Sequence, residues 1–174
     1  YVAKNNTLWR VNAKNETNKY LKQGLVDRAV TRDLDWGVDI PVPGYESKKM
    51  YVWIEAVLGY ITATMKKCEE LGTNWEEFWK EEYHPTIYMV HGKDNIVFHS
   101  IIFNSLLLAM KENYHLVNTI VSSEYLNIND EKISKSKGNG IPAIELVEKY
   151  GPDALRFYLI NNGPEKKDAD FTIC

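Results

Sequence analysis

Apolar positions change their spacing from segment to segment along this chain, and each spacing predicts an element. From Asn5 to Gly24 the sequence is polar and rich in Lys and Asn. Its apolar residues fall loosely at helical spacing in "TNKYLKQGL", and Gly24 supplies a stop. "RAVTRDLDWGVDIPVPG" carries two prolines and two glycines, which exclude a long helix and predict extended pieces with turns. "KMYVWI" predicts a short buried strand, and "EAVLGYITATMKKCEEL" a helix that Gly72 closes. "WEEFWKEE" predicts a short surface helix leaning on its two tryptophans. "TIYMVHG" and "LVNTIVSS" are apolar runs of strand length, separated by the long helical pattern "NIVFHSIIFNSLLLAMKEN". Farther on, "AIELVEKYG" and "DALRFYLIN" predict two short helices parted by Gly151 and Pro152.

The order strand, helix, strand, loop, helix predicts a right-handed βαβ crossover, and with it an α/β fold built on a parallel sheet. Such sheets bind ligands just beyond the carboxyl ends of their strands. Two polar segments follow such ends here: "HGKDN" after the first run, and "NDEKISKSKGNGIP" after the second.

Bulk properties narrow the function classes. With 174 residues, 44% hydrophobic and 26% charged, the chain is long enough for one globular domain or for a piece of a larger one. A net charge of −3 argues against nucleic-acid binding through bulk charge but leaves room for a local basic site. Cys68 and Cys174 form no CxxC pair and no Cys/His cluster, so free thiols are expected and no zinc or other metal site. The longest apolar run, "IIFNSLLLAM", is interrupted by Asn104 and Ser105 and is shorter than a membrane span. A cytoplasmic protein without membrane contact is expected. Both ends look cut, which predicts a fragment whose exposed sheet edge invites pairing into a dimer.

Several residues could carry chemistry. Lys132, Lys135 and Lys137, with Ser134 and Ser136, gather donors and positive charge that suit a polyphosphate, and Gly138 and Gly140 give the loop freedom. The alternative is a solvated basic loop. Gly92 at a strand end permits close backbone approach, and Asp94 can accept from a ribose diol or cap the following helix. His99 on an apolar helix is a ligand or a satisfied core residue. Trp53, Ala56 and Tyr60 follow a strand-to-helix spacing. Ala56 and Tyr60 share a helical face and Trp53 closes it from the strand end, leaving a flat slot suited to a thioether, unless the stripe is core packing. Arg32 offers a fork for a carboxylate or pairs with Asp33.

"KISKS", Lys132 to Ser136, resembles the KMSKS motif of class I aminoacyl-tRNA synthetases, with isoleucine in place of methionine. "TRDLDWGVDIPVPGYESKKMYVWIEAVLGYITA", "HGKDNIVFHSIIF" and "DALRFYLINNGPEKKDADF" together resemble the methionyl-tRNA synthetase family over the chain from Gly24 onward. The resemblance implies a Rossmann-like (HUP-type) parallel sheet flanked by helices. Residues 25–174 would form the C-terminal half of the catalytic domain, and residues 1–24 a polar helical lead-in from the connective-peptide side. It implies that methionine and ATP, with Mg2+ accompanying the nucleotide, give methionyl adenylate, and that the methionyl group then passes to tRNA.

On this resemblance Trp53, Ala56, Tyr60 and His99 line the methionine pocket, with Tyr60 and His99 in one polar network and Val57 in the pocket wall. Arg32 holds the substrate carboxylate. Gly92 and Asp94 meet the ribose, Asp39 beside them, and Leu126 offers a backbone contact to adenine. Lys132, Ser134 and Lys135 bind the ATP phosphates, with Lys132 and Lys135 catalytic. No HIGH motif occurs in these residues. The chain is therefore expected to supply only the KMSKS-like part of the site. The competing expectation is a non-catalytic, synthetase-related remnant that binds nucleotide, methionine or a partner protein.

Overall fold

The computed structural model describes residues 1–134, 136 and 138–172. Its elements in chain order are α1 (Val2–Asn5), α2 (Val11–Gln23), β1 (Thr31–Arg32), β2 (Lys49–Met50), α3 (Val52–Leu71), β3 (Tyr88–Gly92), α4 (Phe103–Met110), β4 (Thr119–Ser123), β5 (Leu126–Ile128), β6 (Glu131–Lys132), α5 (Ala143–Tyr150), α6 (Pro152–Asn161) and β7 (Ala169–Phe171). The chain divides into two compact units. The first holds residues 1–89 and 94–121, the second residues 90–93 and 122–174.

The first unit owns the large core. Trp9 and Ala13 join Val57, Ile61, Trp79, Ile87, Met89, Ile96, Phe103, Leu107, Val117 and Ile120 in one buried cluster. The polar sequence of α2 can serve this core because only Ala13 and Thr17, four apart on one face, are buried. Gly24 ends α2 at φ 85°, as its stop signal predicts. Likewise α3 buries Val57, Ile61 and Cys68 along one stripe, and Gly72 closes it in the left-handed conformation with its N–H reaching the carbonyls of Cys68 and Glu69. Trp79 is the pivot of the "WEEFWKEE" segment. Its indole N–H donates to Thr64 Oγ1 at 2.9 Å, and its ring meets Phe103 edge to face with centroids 5.9 Å apart.

Two expectations about elements are corrected here. "KMYVWI" is not a strand: only Lys49 and Met50 pair, antiparallel with Thr31 and Arg32, and α3 starts at Val52. The apolar spacing of Val57 and Ile61 continues the helix backward, so periodicity outweighs β-branched composition at its first turn. The long helix expected after "HGKDN" is also not uniform. It opens as a 3-10 turn at Lys93–Asn95, passes through a π-helical turn at Phe98–Ile102, and becomes α-helical only at Phe103. Asn104 explains how the irregular turn is tolerated. Its amide donates to the carbonyls of His99 at 2.8 Å and Ser100 at 3.2 Å, and its oxygen accepts from Val117 N–H at 3.0 Å.

Strands β3 and β4 are neighbours joined through α4, the predicted strand–helix–strand unit. Along β3 burial alternates, with Met89 inside and Tyr88 and Val90 exposed. In the second unit β5 pairs in parallel with β7 and antiparallel with β6, the order being β6-β5-β7. The β5–β6 hairpin, absent from the predicted elements, turns on Asn129 and Asp130, both at positive φ (49° and 61°). Helices α5 and α6 appear where predicted, divided at Gly151 with Pro152 opening α6.

Candidate active site

Within the first unit, Trp53, Ala56 and Tyr60 lie at i, i+3 and i+7 on one face of α3, Trp53 in the helix's first turn and not on a strand end. Ala56 is exposed and Tyr60 is 43% exposed, so this stripe is not core packing. Val57, expected in the pocket wall, turns the other way and is 2% exposed among the core residues, because one residue along a helix moves a side chain by roughly 100°. Trp53 stacks on Phe98 with centroids 4.4 Å apart and planes 17° from parallel.

Beneath the exposed stripe lies His99, 3% exposed on the π-helical turn. Its Nδ1 is 2.8 Å from the Asn95 carbonyl, which can only accept, so Nδ1 carries the proton. Nε2 then accepts from the Tyr60 hydroxyl at 2.9 Å. Burial lowers the His99 pKa, with the Asn95 carbonyl opposing part of the shift, so the ring is neutral at pH 7. The pair presents a surface with its one hydroxyl proton already committed. That surface suits an uncharged thioether, which offers no donor and only a weak acceptor.

Arg32 does not pair with Asp33. Its guanidinium lies 3.7 Å from the Tyr51 ring centroid, and Nη1 donates to the carbonyls of Ala29 and Thr31 at 2.9 Å each. Asp33 instead accepts from Lys48 at 2.5 Å, because the β1–β2 ladder brings the lysines of "SKKM" opposite "TRD". Asp39 is tied to Lys49 by an ion pair and a backbone bridge. Asp94 sits inside the 3-10 turn. A cavity of about 570 Å³, lined by Tyr20, Leu25, Val97, Ile101 and Leu106 among others, opens elsewhere in this unit and includes none of the predicted site residues.

The second unit holds Gly92, Leu126, Lys132 and Ser134. Gly92 ends β3, and a Cβ there would meet open space, so its own packing does not demand glycine. Leu126 opens β5 opposite Ala169. Lys132 ends β6 with its ammonium 4.2 Å from the Tyr125 ring centroid. Ser134 N–H donates to Asn139 Oδ1 at 2.8 Å, and Asn139 Nδ2 donates to the Lys132 carbonyl at 3.1 Å, so one amide pinches the loop closed. The Ser134 and Ser136 hydroxyls bond each other at 2.9 Å. Lys135 and Lys137 lie outside the described residues.

A charged cluster that sequence reasoning missed stands in the same unit. Lys93 reaches Glu124 at 2.6 Å and Asp168 at 2.9 Å, and its ammonium is 3.9 Å from the Tyr125 ring centroid. The hydrogen bond to Glu124, then that to Asp168, raises the Lys93 pKa well above the usual lysine range. Lys93, then the Tyr125 N–H, holds the Asp168 carboxyl below its usual range.

Comparison with known proteins fixes the family. The model for tRNA synthetases class I (M) matches residues 1–174. This chain belongs to the class I tRNA synthetases of that group. It is 50% identical over 165 residues to methionine–tRNA ligase 1 of Alkaliphilus oremlandii, covering 94% of the chain and 30% of that protein. It is 49% identical over 171 residues to the methionine–tRNA ligase of Bacillus mycoides, covering 98% and 31% respectively. The chain thus spans about a third of the length of the curated relatives it matches. Among solved structures it is similar to Mycobacterium tuberculosis methionyl-tRNA synthetase in complex with methionyl-adenylate. That match has a TM-score of 0.79 at 27% identity and covers 98% of this chain and 32% of that one. The fold is accordingly the α/β Rossmann-like fold of class I synthetases.

For a class I synthetase chain, the missed residues are instructive. Asn139 and Lys93 carried signals in the sequence, an amide beside two glycines and a lysine at a strand end. The partners of Asn139 are local, Ser134 and Lys132 lying five and seven positions away, whereas those of Lys93 are distant, Glu124 at 31 positions and Asp168 at 75. No group of three or more His, Cys, Asp or Glu able to hold a metal occurs among the described residues, and no helix among them is long and apolar enough to cross a membrane.

Proposed function

We propose that this chain carries the lysine-loop part of a methionine–tRNA ligase, which activates methionine with ATP to methionyl adenylate and passes it to tRNA. In the first step a methionine carboxylate oxygen bonds the α-phosphorus while the bond to the β-phosphate oxygen breaks and pyrophosphate leaves. The stripe Trp53–Ala56–Tyr60 over neutral His99 receives the thioether side chain, and Arg32 the carboxylate. Gly92 and Asp94 receive the ribose, and Leu126 the adenine. Lys132, Ser134 and Lys135 take the phosphates, whose charge grows as pyrophosphate departs. Mg2+ travels with the nucleotide.

One observation carries this reading: Tyr60 of the exposed stripe bonded to the buried, neutral His99 beneath it, in a chain similar over 98% of its length to a synthetase solved with methionyl-adenylate. The test is Lys135→Ala in the complete protein. ATP–pyrophosphate exchange should fall about 100-fold or more while methionine affinity stays near normal. Exchange at the normal rate would remove the phosphate role from this loop.

A further inference from the structure

Two lysines of the second unit share one aromatic ring and differ in everything else. Lys93 lies 3.9 Å and Lys132 4.2 Å from the Tyr125 centroid. Lys93 is held by two carboxylates, Glu124 and Asp168, so its charge is already answered. Lys132 is exposed and has no ion pair among the described residues; its ammonium contact is the ring. A carboxylate partner would neutralise Lys132 and would have to be displaced before a phosphate could bind. A ring face attracts the cation without neutralising it and leaves N–H donors free. It also restrains a side chain that otherwise has four rotatable carbons of freedom to lose on binding. The backbone supports the same placement. Lys132 is paired with Asn127 on β5, Tyr125 immediately precedes β5, and Tyr125 is itself fixed through its N–H to Asp168 and its carbonyl to Ala169 N–H.

We propose that Tyr125 is a positioning residue for Lys132. Its ring holds the ammonium in place, charged and free of any carboxylate, for an anionic phosphate oxygen. This rests on the phosphate role assigned above to Lys132, and the test separates the two. In the complete protein, Lys132→Ala should lower kcat of ATP–pyrophosphate exchange by about tenfold or more. An unchanged kcat would overturn both assignments. Given that loss, Tyr125→Leu should lower kcat by about two- to fivefold, the worth of an exposed cation–ring contact. The KM for methionine should not move, and Tyr125→Phe, which keeps the ring, should restore kcat. Placed on Lys132→Ala, the Tyr125→Leu change should cost nothing further. A loss that persists in that background, or an equal loss in Tyr125→Phe, would mean the side chain serves Lys93 and the local fold, and the positioning role would fall. So would an unchanged kcat in Tyr125→Leu alone.

Discussion

In the first unit the candidate slot stands on a floor of fully buried side chains; in the second the candidate phosphate groups stand on strands two and three residues long. His99 is 3% exposed with both ring nitrogens bonded, and its partner Tyr60 meets the fully buried Phe103 edge to face with centroids 6.1 Å apart. Lys132 ends a two-residue strand, and Ser134 is held by hydrogen bonds local to its own loop, to Asn139, Ser136 and Gly138. A rigid neutral surface suits recognition of an uncharged side chain by shape, because packing fixes its outline. A charged loop gains by lighter support: its task is to meet charge that appears only during reaction, and each of its contacts is weak enough to exchange. The two units thus divide shape from charge.

The severest way to test that division is to damage the floor. Phe103→Ala should lower the unfolding free energy of the complete protein by about 3–5 kcal/mol, the usual cost of emptying a buried aromatic site, and should weaken methionine binding. A denaturation curve displaced by less than about 1 kcal/mol would show that the first unit does not depend on this core. A finer cut is Tyr60→Phe, which removes the hydroxyl that donates to His99 while keeping the ring. It should raise the KM for methionine about two- to tenfold, the worth of one hydrogen bond, and leave the KM for ATP alone. Steady-state kinetics in which both constants move together would erase the distinction between the units.

The smallest effects are in pH, and they fall in different windows. His99 has a folded pKa below its unfolded value of about 6.5. Its contribution is full above that value and declines as the pH falls toward the folded one, because the unfolded chain binds more protons in between. Asp168 is likewise depressed, so its contribution is full above the ordinary carboxylate range near 4 and is lost as the pH falls through its folded value. In thermal melts against pH, His99→Gln should flatten the decline just below neutrality. Lys93→Met should be less stable than the parent at pH 7, with the gap closing below about pH 4. Parallel curves for Lys93→Met at every pH would rule out Lys93 as the cause of the Asp168 shift.

Much of this was readable along the chain, and the limits of that reading are physical. Local spacing and stop residues determined α2, α3, α5 and α6, since a helix is built from contacts three and four residues apart and from the glycine or proline that ends it. The apolar runs marked β3 and β4, and the resemblance pointed to each candidate residue. Spacing did not reveal the π-helical turn that seats His99, because its stability comes from Asn104 bonding Val117 as well as its own helix. Composition misread "KMYVWI" because β-branched and aromatic residues serve a helix's first turn as well as a strand when a core waits on one side.

What the sequence alone determined is therefore the order of elements and the chemical kinds available: a neutral aromatic stripe, a histidine and a lysine loop. Tertiary structure decided the pairings. It made His99 neutral by burial, joined Lys93 to Glu124 and Asp168, and set Lys132 over Tyr125. Protonation and partner choice depend on which groups arrive within a few ångströms, and distances along the chain do not encode that.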